Sequence, residues 1–200
     1  RRRLPGFEKN KGYKQTEVGV IPKDWDLDRI ENICCITTGN KNTQDRVDDG
    51  SYPFFVRSQN VERINSYSFD GEGVLTAGDG VGTGKIFHYI NGKCDIHQRV
   101  YLMKDFKAHI SVYYFFLYFK SNFYNRISSM TAKSSVDSVR REMIADMPIS
   151  LPTLPEQKAI ARVLSDMDAE IEVLEQKRAK YARIKQGMME QLLTGKVRLV

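Results

Sequence analysis

Cysteine is scarce in this sequence, and the three present, Cys34, Cys35 and Cys94, form no C-x-x-C pair. An odd number of cysteines without a signal-peptide pattern predicts reduced thiols and a cytoplasmic protein rather than a disulfide framework. Cys34 and Cys35 are neighbours in an apolar run, where core packing is their expected role. Long hydrophobic stretches are missing too. The longest, Val112 to Phe119, is eight residues, against the roughly 20 needed to cross a bilayer, so no membrane contact is expected. His88, His97 and His109 lack metal-ligand spacing with the cysteines, and no metal or cofactor is predicted.

Signatures of catalysis are also wanting. No N-P-P-[YF] tetrapeptide or glycine-rich strand-to-helix turn marks a methyltransferase site. Glu156-Gln157-Lys158 and Glu175-Gln176-Lys177 have the E-x-K form of some nucleases, but both fall in a charged helical stretch, where a solvated face is the expectation. The glycine-rich segment Gly78-Asp79-Gly80-Val81-Gly82-Thr83-Gly84-Lys85 invites comparison with a phosphate loop. A G-x-x-x-x-G-K-[ST] motif ending at Lys85 needs glycine at position 79 and a hydroxyl residue at 86, which are Asp79 and Ile86. The segment also lies between candidate strands, without the helix N-terminus that would hold phosphate. It reads as a mobile loop that exposes its backbone, and a phosphate-binding enzyme built on Gly78–Lys85 is the weakest alternative.

What the chain does have is a core and a basic balance. Hydrophobic residues make up 41 % of the 200, with ten Phe and ten Tyr, enough for a folded domain. The net charge of +6 favours a polyanionic partner. Arg1 to Tyr13 is basic, broken by Pro5 and Gly6, and aperiodic, so residues 1–20 are expected to be a tail or linker. A domain is predicted over residues 21–152. Within it Ile33 to Thr37, Tyr52 to Val56 and Val74 to Ala77 read as strands. Lys85 to Ile90 and Cys94 to Met103 flank Asn91-Gly92, a strong hairpin signal. His97, Arg99 and Tyr101 would then share one face of the second arm, opposite Ile96, Val100 and Leu102. His109 to Tyr124 reads as a mostly buried helix, and Ser134 or Ser135 could cap a shorter one carrying Val136, Val139, Met143 and Met147 inward. Pro148, Pro152 and Pro155 form the joint to the C-terminal segment.

Residues 153–200 are dominated by one long helix, from Pro155 to Leu193 with Gly195 as its stop. Ile160, Leu164, Met167, Ile171, Leu174, Tyr181, Met188 and Leu192 recur at alternating spacings of four and three, the period of a coiled-coil seam. Arg178 and Lys185 interrupt that seam. Between Pro155 and Gln176 six acids accompany two bases, whereas seven bases and only Glu190 come after, from Lys177 onward. An antiparallel partner would lay acidic half on basic half. The expected fold class is thus α+β: a mixed α/β domain followed by a long C-terminal coiled-coil helix that sets a distance and pairs.

Basic and amide side chains interleave with aromatics at three places: Arg57, Ser58, Gln59 and Asn60; His97, Gln98 and Arg99; and Lys133, Ser134, Ser135, Arg140 and Arg141. Arg, Asn and Gln make bidentate contacts with base edges, and Lys, Ser and helix N-termini suit phosphates. Arg57, Asn60, Lys85, Gln98, Arg99, Lys133 and Arg140 are the expected DNA-facing residues. A protein-interaction scaffold acting through the long helix is the alternative.

The segment from Leu151-Pro152-Thr153-Leu154-Pro155-Glu156-Gln157-Lys158 through Leu192-Leu193-Thr194-Gly195-Lys196 resembles the conserved region of the specificity subunit of type I restriction-modification systems. Gly12-Tyr13-Lys14, Ile21-Pro22-Lys23-Asp24-Trp25 and His97-Gln98-Arg99-Val100-Tyr101 resemble parts of its target recognition domain. The resemblance implies a non-catalytic protein that reads one half of a split double-stranded DNA sequence. It also implies a helix that pairs antiparallel with its counterpart and docks methyltransferase subunits, and through them the restriction subunit. With one recognition domain and one helix, the chain would be half a subunit, a fragment or a natural half that pairs with a second. Arg3-Leu4 echoes Arg198-Leu199, which fits one unit of a tandem.

Overall fold

The computed structural model describes Gly6 and residues 12–130 and 138–199. In chain order the elements are β1 (Tyr13–Thr16), β2 (Gly19–Pro22), β3 (Asp26–Arg29), α1 (Ile30–Ile33), β4 (Cys35–Thr38), β5 (Tyr52–Phe55), β6 (Glu62–Ile64), β7 (Phe69–Ala77), β8 (Phe87–Ile96), β9 (Val100–Lys104), α2 (Val112–Ser129), α3 (Arg141–Ala145), β10 (Pro148–Leu151) and α4 (Leu154–Leu192). The class is α+β, with a mixed sheet and a long C-terminal helix. The chain divides into two compact units between Ala159 and Ile160.

The first unit is built on a six-stranded sheet of order β4-β9-β7-β8-β5-β6, antiparallel except where β5 runs parallel to β8. Strand alternation sorts β8 between two layers. Phe87 and Tyr89 face α2: the Phe87 ring meets Phe119 edge-on at 5.5 Å, and Tyr89 meets Tyr113 at 5.1 Å. Ile90, Cys94 and Ile96 join Phe55, Leu75, Val100 and Leu102 in a second buried cluster. Along α2, Phe115, Phe119 and Phe123 stack at successive spacings of four, fully buried. This is why a helix so rich in aromatics has no clean polar face there. Ser111 caps it by accepting a hydrogen bond from the Tyr114 amide, so the helix starts later and ends later than the expected 109–124.

Several local expectations are corrected. Asn91-Gly92 is no turn but the middle of the ten-residue strand β8, where Gly92 pairs with Gly71 and Asn91 with Glu72. The partner strand β7 supplies a full ladder on both sides of the dipeptide, and those pairings override the local turn preference. The true reversals fall at residues 78–86 and at His97-Gln98-Arg99, where the Val100 amide bonds the His97 carbonyl at 2.9 Å. His97, Arg99 and Tyr101 therefore do not alternate along one strand. Ile33 ends the short helix α1 rather than opening a strand, and Cys35, at the start of β4, is exposed while Cys34 is buried. Strands β1 and β2 pair within the stretch expected to be a tail. Ser134, Ser135 and Val136 lie outside the described residues; the helix seen near them, α3, has Arg140 at its N-cap.

The joint to α4 is built from β10, which pairs with β3. Tyr114 and Tyr118 of α2 donate their hydroxyls to the carbonyls of Ser150 and Pro148 at 2.8 and 3.2 Å. The first turn of α4 then enters the core. Glu156 is 2 % exposed and accepts from the Trp25 indole N–H at 3.2 Å. Gln157, 1 % exposed, donates to the carbonyls of Pro152 and His109 and accepts from the Ser111 amide at 2.8 Å. The expectation of a solvated face is thus wrong for Glu156-Gln157, because these amide and carboxylate groups satisfy backbone and indole groups that would otherwise be buried unpaired. It holds for Glu175-Gln176-Lys177, which is exposed.

In the second unit, α4 continues without interruption to Leu192, and Gly195 lies beyond it in the left-handed conformation with φ of 70°, the usual way to end a helix. At 1.5 Å per residue its 39 residues give a rod on the order of 60 Å long.

Candidate nucleic-acid interface

Two of the reversals of the sheet converge with the loop that leaves β5. Arg57 leaves β5, Asp79 opens the β7–β8 loop, and Gln98 and Arg99 form the β8–β9 turn. Together with Asn42, Thr43, Gln44 and His97 they line a polar cleft of about 330 Å³. The centre is a fork: Arg57 Nη1 lies 2.9 Å from one carboxylate oxygen of Asp79 and Arg99 Nη1 lies 3.2 Å from the other. Gln98 donates its amide to the Asn42 side chain, whose own backbone N–H is held by Asp45 at 2.7 Å.

His97 is buried at the floor. Its Nδ1 accepts from the Arg99 amide at 3.0 Å, so the neutral ring carries its proton on Nε2. Burial, with the Arg57 guanidinium next in weight, pushes its pKa below the ordinary histidine value. The ring is thereby kept neutral beside two cations and sets the backbone from which Arg99 projects.

The glycine loop is fixed at both ends rather than mobile throughout. Gly78 donates its amide to the Arg99 carbonyl at 2.8 Å and accepts from the Val139 amide at 2.7 Å. Gly84, with φ of 70°, packs so closely on α2 that a Cβ there would stand 2.3 Å from Ile127 Cδ1. The amides of Thr83, Lys85 and Ile86 are turned inward onto the Gly80 and Gly82 carbonyls. They are therefore not presented to a phosphate. Only the tip projects, with Val81 fully exposed.

The seven DNA-facing candidates separate accordingly. Arg57, Gln98 and Arg99 come together in the cleft. Asn60 is exposed in the loop just after Arg57, where its carbonyl accepts from Ser58 at 2.9 Å. Arg140 is exposed next to Val139, the residue bonded to Gly78. Lys85 stands apart, its ammonium 4.8 Å over the Tyr124 ring of α2. Lys133 lies outside the described residues. Sequence reasoning passed over Asp79, which it weighed only as a missing glycine, and Asn42. The signal available for the latter was the Asn42…Asp45 spacing of a capping box.

On α4, seven members of the expected seam are described with their exposure: Leu164, Met167, Ile171, Leu174, Tyr181 and Met188 are 40–58 % exposed, while Leu192 is half-buried. Ile160, at the boundary, is also half-buried. Val163, Val173, Ile184 and Met189 add further exposed apolar surface. Among the described residues no helix is long and apolar enough to cross a membrane.

An α+β unit with a polar, arginine-bearing cleft, feeding a long helix whose apolar row faces solvent, defines a class of recognition domain with a helical appendage. Residues 22–182 match the family described as the type I restriction modification DNA specificity domain, and the chain belongs to that family. It is 28 % identical over 176 residues to the type I restriction enzyme EcoDI specificity subunit of Escherichia coli, covering 88 % of this chain and 38 % of that protein. The type I restriction enzyme MjaVIII specificity subunit of Methanocaldococcus jannaschii is 28 % identical over 202 residues, covering 94 % and 46 %. In fold the chain resembles the crystal structure of a type I restriction-modification system S subunit from M. genitalium, with a TM-score of 0.66 and 9 % identity over 84 % of this chain and 46 % of that one. The chain thus spans less than half the length of each of these relatives.

Proposed function

We propose that this chain is a non-catalytic DNA-recognition module of a type I restriction-modification complex in the cytoplasm. Residues 21–152 act as the target recognition domain and read one half of a bipartite double-stranded site. Residues 153–200 pair with the helix of a second half subunit and dock methyltransferase subunits, which in turn recruit the restriction subunit. Methyl transfer and cleavage belong to those partners.

The observation that carries the reading is the convergence of Arg57, Gln98 and Arg99 in one open cleft. Their side-chain types are those that make two hydrogen bonds to guanine or adenine edges. The unpartnered apolar row of α4 supports the pairing half of the proposal, because long isolated helices gain little stability from propensity and depend on a packed face. Membership of the specificity-domain family supports both.

The test is selection from a randomised duplex pool by the chain assembled with its methyltransferase subunits. Enrichment of an interrupted motif, with half-sites separated by about one duplex turn, is the expected result. A pool that remains random would sink the reading. Tight methyltransferase binding with no affinity for any duplex would favour a scaffold acting through α4.

A further inference from the structure

Asp79 is an anomaly in a surface meant to meet a polyanion. It is a carboxylate at the centre of the cleft, with only 20 % of its side chain exposed, and it occupies both cationic side chains that the cleft offers. A purely electrostatic DNA-binding surface would not carry it: an acid there repels phosphates and neutralises guanidinium groups that would otherwise release counterions. Its backbone is fixed independently of those arginine side chains, since Gly78 bonds the Arg99 carbonyl and the Val139 amide, and Asp79 itself bridges Ser138. The carboxylate is therefore not needed to hold the loop in place.

We propose that Asp79 is a positioning residue that reserves Arg57 and Arg99 for base edges and denies them to phosphates. Each carboxylate oxygen holds one guanidinium, restricting two long side chains that would otherwise sample many rotamers. A phosphate offers one of those arginines about what Asp79 already provides, so a non-cognate duplex gains little by displacing the pair. A guanine offers O6 and N7 to an arginine in a bidentate contact, and Asp79 can keep its other arginine meanwhile. The carboxylate can also accept from the N4 amino group of the paired cytosine. The half-site read by this domain accordingly contains a G·C pair at the cleft. This inference rests on the DNA-recognition reading above and adds the division of labour within it.

The experiment compares the wild-type assembly with Asp79→Asn, which keeps size and one acceptor while removing the charge. Binding to sheared mixed-sequence duplex DNA is measured between about 50 and 200 mM salt, and selection from the randomised pool is repeated. Asp79→Asn is expected to bind mixed-sequence DNA more tightly, by about threefold at low salt for each phosphate contact released, with a salt slope steeper by about 0.9 per contact. Its selected motif should lose preference at one G·C position by about fivefold or more. Arg99→Gln provides the converse: the same base preference falls, without tighter binding to mixed DNA. A merely structural Asp79 would lower the melting temperature and weaken every duplex in parallel, and that pattern overturns the proposal. So does an Asp79→Asn assembly that keeps the wild-type slope and motif. If the wild-type assembly binds no duplex, the recognition reading itself fails and this inference goes with it.

Discussion

At the scale of single residues, burial decides which groups can react. Cys34 and Cys94 are buried, and loss of hydration pushes each thiol up to about 12, leaving them protonated at neutral pH. Cys35 is exposed. Native protein should therefore take up one equivalent of a thiol reagent such as iodoacetamide near neutral pH, and unfolded protein all three; rapid labelling of three in the native state would contradict the burial. Histidine supplies a pH dependence. Burial lowers the pKa of both His88 and His97 below the ordinary value near 6.5. As pH falls through about 6.5 the unfolded chain takes up protons that the folded chain refuses, so stability declines with acidification. A melting temperature that falls between about pH 7 and pH 5.5, and falls less in His97→Gln, is expected from calorimetry across that range. Gly39 makes a third case. A Cβ there would stand 1.9 Å from the Ile96 carbonyl oxygen, so Gly39→Ala must force the end of β4 away from β8 and should cost about 2–4 kcal/mol by urea denaturation.

At the scale of elements, the long helix was legible and the sheet was only partly so. The seam of α4 repeats over many turns, and a period sustained that long outvotes any single exception such as Arg178 or Lys185. The strands β5 and β7 and the helix α2 also match their apolar patterns closely. Asn91-Gly92 shows where local chemistry is overruled: its preference for a turn acts on two residues, while β7 offers β8 eight paired positions. The cleft was half legible. Arg57, Gln98 and Arg99 could be nominated by type, but their meeting depends on the parallel pairing of β5 with β8, which brings the ends of two distant segments together and leaves no trace in either. Glu156 and Gln157 were misread because a motif on a charged helix looks exposed unless its neighbours in space are known. Gln157→Ala would strand the Ser111 amide and two carbonyls, and a loss of about 1–3 kcal/mol in unfolding free energy is expected. Gly187 sits inside α4 with open space where a Cβ would be; Gly187→Ala should raise helix stability by about 1 kcal/mol, visible in the far-ultraviolet circular dichroism melt.

At the scale of the whole molecule, pairing through α4 governs mass. Light scattering should find twice the 23.0 kDa of the chain, falling to the single chain on Leu174→Glu, which places a charge in the middle of the exposed row. A two-fold symmetric target would accompany a homodimer, since symmetry in the protein is mirrored in the site. A wild-type chain that remains single at high concentration would count against self-pairing. Charge sorting along α4 makes the pairing salt-sensitive in a particular direction: acidic half on basic half loses attraction as salt screens it.

The anchored first turn of α4 also bears on how the helix comes into being. Starting a helix is the unfavourable step, with a nucleation constant on the order of 0.001, whereas adding residues to an existing turn is nearly neutral. Glu156 and Gln157, locked to Trp25, Ser111, His109 and Pro152, supply that start as soon as the globular unit has folded. The helix therefore grows in one direction, from Leu154 outward, and its far end is the last to order and the first to fray. Backbone amides along α4 should exchange with solvent on a gradient, slowest near Gln157 and fastest near Leu192. Pairing with a second helix would flatten that gradient, and the flattening would report assembly turn by turn.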